Sequence, residues 1–217
     1  MFATLFVLLV VVILSSVNAA LNATIAKLPT VPTLNVPQYL GLWYQVYADP
    51  AVVASFEKGT QCATAKYGDN GDGTLSVHNY ATYTDTGTPY VIDGYAYQKD
   101  VADPGKLMVH FSSSDAFPFD APYWVVSLGP VVNNQYDYAI VTDNLSLYLF
   151  VLTRDVATYY AKYDADVQKQ LTAFGFSGLT KPVQTYPGSD CVYESTTRKA
   201  EMHATEQKRI AAEKAKK

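Results

Sequence analysis

The stretch QYLGLWYQVYADP, Gln38 to Pro50, decides how this chain is read. It holds one of only two tryptophans, set two places after Gly41 and followed by an alternating run that ends at Pro50. Aromatic and β-branched residues in alternation suit a pleated, half-buried strand. A glycine two places before a large aromatic marks a strand that must pass close to something else, so what Trp43 packs against becomes the central question.

Working outward, the same grammar repeats. After GLWYQVY come QCATAKYG, LSVHNYATY, YVIDGYAYQ, KLMVHFS, YWVVSLG, YDYAIVT and SLYLFVLTR, separated by turn sequences such as DNGDG, DTGTP and DPG. Eight short aromatic or β-branched runs at this spacing predict an all-β sandwich or closed barrel. Alternation sorts the faces: Leu107, Val109 and Phe111 oppose Lys106, Met108 and His110, and Ala63, Ala65 and Tyr67 oppose Cys62, Thr64 and Lys66. Ile92, Gly94 and Ala96 form a face of mainly small residues, which hints at unfilled interior volume; sheet curvature would equally demand Gly94. Beyond Arg154 the period changes. Tyr160, Tyr163, Val167, Leu171 and Phe174 fall three and four apart, one apolar stripe of a helix packed outside the sheet, with Gly175 as its stop.

Composition bounds the rest. The chain has 217 residues, 18 tyrosines, 9 phenylalanines and a formal charge of −4. That is enough for one domain with a real core, and no basic stripe speaks for nucleic acid. Residues 1–19 read as a signal peptide: Leu5 to Leu14 are apolar, too short a run for a span of about 20 residues, and Val17-Asn18-Ala19 fits a cleavage site. No Lys or Arg precedes the run, so an uncleaved anchor is the alternative. The only cysteines, Cys62 and Cys191, suggest one disulfide in an oxidising compartment, with two free thiols as the alternative. Asn22 and Asn144 head glycosylation sequons. Residues 195–217 carry seven Lys and Arg against three Glu and little that could build a core, so they read as a charged tail with a weak attraction to anionic lipid surfaces.

The order of these signals resembles the lipocalin family, on the branch of apolipoprotein D and the bacterial and plant temperature-induced lipocalins. Gly41-Leu42-Trp43 looks like the family's first motif, and LFVLTRD, with Arg154, like its third. FEKGTQCATAKY and APYWVVSL resemble the second and sixth strands of that branch. The second motif departs: SLGPVVNNQYDY puts Gly129-Pro130 at its start and lengthens the loop. The resemblance implies an eight-stranded antiparallel up-and-down β-barrel with one C-terminal helix outside, occupying residues 20–194. It implies that Trp43 plugs the closed end with Arg154 across its ring, while Gly41 lets the chain pass close to neighbouring backbone. It also implies a Cys62–Cys191 disulfide.

The function implied is a secreted carrier of a small hydrophobic ligand such as a fatty acid, sterol, retinoid or carotenoid. With Trp43 and Arg154 facing inward, alternation puts Tyr67, Val77, Asn79, Leu107, Phe111, Tyr123, Val125, Phe150 and Leu152 inside. Of these, Tyr67, Asn79, Phe111, Tyr123 and Phe150 also fall on the family's ligand-pocket positions. Catalysis finds little support. His78 and His110 fall on outward faces, His203 lies in the tail, and no catalytic triad, metal-spaced cluster or cofactor motif is present. The alternative is a lipocalin-type enzyme, an isomerase or de-epoxidase, and a thiol-dependent isomerase would need Cys62 as a free thiolate.

Overall fold

The computed structural model describes residues 28–112, 119–185, 188–189, 191 and 193–194. The expected signal peptide, the Asn22 sequon and the basic tail lie outside the described residues.

The eight runs become eight strands: β1 (Gly41–Ala48), β2 (Thr60–Asp69), β3 (Leu75–Tyr83), β4 (Pro89–Gln98), β5 (Lys106–Phe111), β6 (Ala121–Leu128), then β9 (Tyr138–Thr142) and β10 (Leu149–Thr153). Each pairs antiparallel with the next, and β10 closes on β1, so every barrel strand has two neighbours. Closure removes the exposed edges that an open sheet of these strands would present. The lengthened second-motif segment forms its own hairpin, β7 (Val131–Val132) with β8 (Gln135–Tyr136), whose turn residues Asn133 and Asn134 both take positive φ, 49° and 62°. Asparagine tolerates that conformation, which two-residue hairpin turns require. A short strand, β11 (Val183–Gln184), adds to the outside of β1.

Two cores share the sheet. The inner one joins Trp43, Ala65, Tyr67, Val77, Leu107, Val109, Val125, Val141 and Leu152. The outer one joins Val46, Trp124, Val126, Tyr138, Ile140 and Val151 to the C-terminal helix. Strict alternation does not generate this arrangement. β1 shifts register between Gln45 and Tyr47, and β6 between Val125 and Ser127. Those bulges keep a second residue on the outer side: Tyr47 joins Val46 in the outer cluster, and the Ser127 hydroxyl, next to Val126, donates to Gln170 of the helix at 2.9 Å, a re-aiming that an extra residue in one strand produces.

The single helix expected after Arg154 is two segments, α3 (Val156–Lys162) and α4 (Asp164–Ala173), which follow the short N-terminal helices α1 (Val36–Tyr39) and α2 (Pro50–Ala54). Asp155 caps α3 by accepting from the Thr158 N–H at 2.6 Å. The break at Tyr163 shifts the phase of the stripe: Tyr159, Val167 and Leu171 are fully buried, while Tyr160, Tyr163 and Phe174 are half-buried. Gly175 follows with φ +94°, the left-handed stop.

Cys62 sits where β2 shifts register against β3, with φ +59°, and is bonded to Cys191. The bridge ties the segment after the helix to the barrel wall. Beside it, His78 on the outer face lies 2.5 Å from Asp93 and 2.8 Å from Glu194, a second tether of the same segment.

Candidate functional site

The closed end is built around Trp43. Its indole N–H donates to the Tyr39 carbonyl at 2.9 Å, and the Arg154 guanidinium lies over its ring at 3.5 Å from the centroid. Arg154 also donates to five backbone carbonyls. Nη1 reaches Leu42 at 2.6 Å; Nη2 reaches Leu40, Tyr39 and Gln38 at 2.8, 3.0 and 3.3 Å; Nε reaches Tyr136 at 3.3 Å. One cation thus holds the loop before β1 against β8. Burial lowers its pKa to about 10, which leaves it charged at neutral pH. Gly41 is required for a different reason from the one expected. Its φ is +98°, and a side chain there would meet Gln135 and Arg154 side chains at 3.1 and 3.3 Å, not backbone.

Above Trp43 the floor continues as a tyrosine network that the sequence did not announce. Tyr39 from α1 packs between Trp43 and Tyr67, with ring centroids 5.1 and 5.6 Å away. The Tyr123 hydroxyl lies 2.7 Å from that of Tyr39 and 3.0 Å from that of Tyr67. Burial raises the pKa of all three, Tyr67 to about 12, so each keeps its proton at neutral pH. Three O–H donors serve two contacts, so among the described residues one hydroxyl hydrogen has no acceptor.

Over this floor lies a cavity of about 430 Å³, within the roughly 300–1,000 Å³ of small-molecule sites. Of the expected residues, Tyr67, Asn79, Phe111, Tyr123, Phe150 and Leu152 line it. Val77, Leu107 and Val125 do not: they are inward and buried, but in the packed cluster beyond the lining. Ala63, Ala65, Ile92 and Val109 complete apolar wall, with Phe56, Phe119, Leu145, Leu147 and Tyr148 from loops. Gly94 adds no volume. A side chain there would lie 2.0 Å from the His110 carbonyl, so its smallness serves the approach of β4 to β5.

Polar side chains also reach the lining, among them Thr60, Thr64, Asn79, Tyr80, Tyr90, Thr142 and Asn144. Asn79 Oδ1 is buried without a hydrogen-bond partner among the described residues. Glu57, from the β1–β2 loop, accepts from Gln45 Nε2 at 2.8 Å and also borders a smaller cleft beside Cys62. Burial raises Glu57, opposed by the Gln45 hydrogen bond and reinforced by Asp49, to a pKa of about 7. Sequence reasoning missed it, because a lone glutamate in a loop carries no periodic signal. At the rim, Asp143 accepts from the Leu147 N–H at 2.7 Å and shapes the β9–β10 loop, where Asn144 is exposed. His78 and His110 lie outside the lining, and among the described residues no group of three His, Cys, Asp or Glu could hold a metal ion.

This architecture has known counterparts. The family described as Lipocalin-like domain matches residues 34–182. Mouse apolipoprotein D is 37% identical over 111 residues, 49% of this chain and 53% of that protein, so the chain spans about half the length of that relative. Temperature-induced lipocalin-1 of Arabidopsis thaliana is 30% identical over 177 residues, 79% of this chain and 88% of that one. Among solved structures, the tryptamine complex of the amine binding protein of Rhodnius prolixus superposes with a TM-score of 0.55 at 17% identity, covering 81% of this chain and 93% of that one. Japanin from Rhipicephalus appendiculatus, bound to cholesterol, gives 0.50 at 14% identity, covering 75% and 100%.

Proposed function

Since this chain belongs to the lipocalin family, we propose that it is a secreted carrier that reversibly binds one small hydrophobic molecule inside its barrel. The observation that carries the reading is the cavity itself, about 430 Å³ with mainly apolar walls over a sealed floor. Moving apolar ligand surface out of water supplies roughly 25 cal/mol per Å². Micromolar affinity is then within reach after association costs are subtracted. Phe111 and Phe150 hold the body of the ligand; Tyr67, Asn79 and Tyr123 orient its polar end. Fatty acids, sterols, retinoids and carotenoids are the candidate classes. Fold neighbours bind tryptamine in one case and cholesterol in another, which fits a barrel whose ligand is set by its lining.

Export is supported by the character of residues 1–19 and by the disulfide, which persists in oxidising compartments. It predicts that the chain appears in the medium without its first residues. The thiol-isomerase alternative needs a thiolate at Cys62, which the bond to Cys191 consumes.

Fluorescence titration with a fatty acid, a sterol and a retinoid tests the carrier reading. At least one class binds below about 100 micromolar. A tryptophan at Ala65 or Val109, both in the wall, fills the space and weakens binding at least tenfold. Binding that survives both substitutions, or the absence of any binding, removes the cavity reading. Chemical turnover of a bound ligand replaces it with an enzymatic one.

A further inference from the structure

We propose that the cavity selects a ligand whose polar end is a protonated amine, held by Glu57, and that it turns carboxylates away. This rests on the carrier reading and narrows it: ionised fatty acids leave the candidate classes, and Glu57 rather than Tyr67 or Tyr123 takes the polar end. Among the described residues the lining holds two carboxylates, Glu57 and Asp143, and no Lys, Arg or His. The two acids are differently occupied. Asp143 already accepts backbone N–H groups of its own loop, from Leu145, Leu147 and Tyr148. Glu57 has a single neutral donor, Gln45, on Oε2, and no described cation pairs with it. A second acceptor, the buried Asn79 Oδ1, lies in the same lining without a donor among the described residues.

What this lining lacks, among the described residues, is a cation. An ammonium brings three N–H donors and a positive charge, and in a partly desolvated site a charge-assisted hydrogen bond is worth about twice a neutral one. A carboxylate brings only acceptors. It would leave the Asn79 Oδ1 without a donor and meet two like charges, with only neutral donors such as Thr64, Tyr90 and the Asn79 amide to compensate. An alcohol falls between the two, since it has one donor and no charge.

The groups packed about Glu57 give the site a pH signature. They are Gln45 on β1, Asp49 at the start of α2, and Tyr90 on β4, with Asp143 in the same lining and acting on Asp49. None is a cation. Burial holds Glu57 near a pKa of about 7, so an arriving ammonium draws the carboxyl into its ionised form and releases a proton. Amine affinity therefore rises with pH through that value.

The test is isothermal titration calorimetry of the whole protein with octylamine, 1-octanol and octanoate, which share a chain and differ in the head group. Titrations run at about pH 5.5 and about pH 8.5, a range over which an alkylamine stays protonated. At the higher pH the amine binds about tenfold or more tighter than the alcohol, and octanoate binds weakest. The amine preference shrinks at the lower pH. In Glu57→Gln the amine-to-alcohol ratio falls towards one and loses its pH dependence. Octanoate binding as tightly as octylamine, or an amine preference untouched by Glu57→Gln, overturns the proposal and leaves the carrier reading standing. If Glu57→Gln does not fold, the pH series on the unmodified protein decides. If none of the three binds while a sterol or retinoid does, the proposal is overturned and the carrier reading stands; if nothing binds in either series, both fail.

Discussion

Removing Arg154 separates the structural end of the barrel from the binding end. In Arg154→Ala the chain loses the contact with Trp43, five hydrogen bonds to carbonyls, and the link between the loop before β1 and β8. A desolvated cation–π contact is worth about 2 kcal/mol. Hydrogen bonds to a charged donor contribute about 1.5–3 kcal/mol each but do not add, because the truncated site admits water to several of these carbonyls. A net loss of about 4 kcal/mol follows, near the top of what single substitutions do. For a domain of this size that lowers Tm by about 8–16 °C. Arg154→Lys keeps the charge without the planar fork and loses roughly half as much. Thermal and urea unfolding read the stability, and ligand titration corrected for folded fraction reads the affinity. Arg154 does not line the cavity, so intrinsic affinity changes less than about threefold. Unchanged stability with abolished binding would refute the assignment of this end as the closed one.

Three further outcomes follow from the same geometry. The Cys62–Cys191 bridge spans 129 residues, for which chain entropy gives a stabilisation of up to about 5 kcal/mol; non-reducing peptide mapping recovers the linked pair, and the Cys62→Ser/Cys191→Ser double variant unfolds at lower denaturant. Tyr123→Phe removes the hydroxyl shared by Tyr39 and Tyr67 and lowers stability by about 1–3 kcal/mol, more than Tyr67→Phe, which strips only an end of the network. Glu57 governs a pH dependence of the unliganded protein. Its folded pKa, about 7, is raised from 4.5, so its contribution is fully present below about pH 4.5 and is lost as pH rises through about 7. Unfolding free energy falls by about 2–3 kcal/mol across that window, and in Glu57→Gln this component is absent.

Alternation is a local property, and what it reports was legible. Each of the eight runs became a strand, and the faces assigned to Tyr67, Phe111, Tyr123 and Phe150 hold, because inward and outward residues need only their own neighbours to declare themselves. Depth along the barrel is different. Val77 shares a face with Asn79, and Leu107 with Phe111, yet only the second of each pair reaches the cavity, since position along the axis depends on how distant strands are staggered. The bulges before Tyr47 and Ser127 and the break at Tyr163 also answer to tertiary packing: Tyr47 and Ser127 turn outward beside Val46 and Val126, against the alternation, and no local pattern encodes that. Tyr39 stood in the opening stretch, but its role exists only where α1, β2 and β6 converge.

Because two cores share one sheet, the barrel wall is mechanically lopsided. All five residues of β9 are buried, and Val151 of β10 is sealed beneath the helix. On the opposite side, Ala96 is the only fully buried residue of β4. Backbone amides along β9 and β10 open only with global unfolding and exchange their hydrogens slowest, whereas those pairing β4 with β5 exchange through local fluctuations. For the carrier proposed above, the β4–β5 side is the compliant wall expected to widen for a guest, and the helix side the anvil against which it would be held.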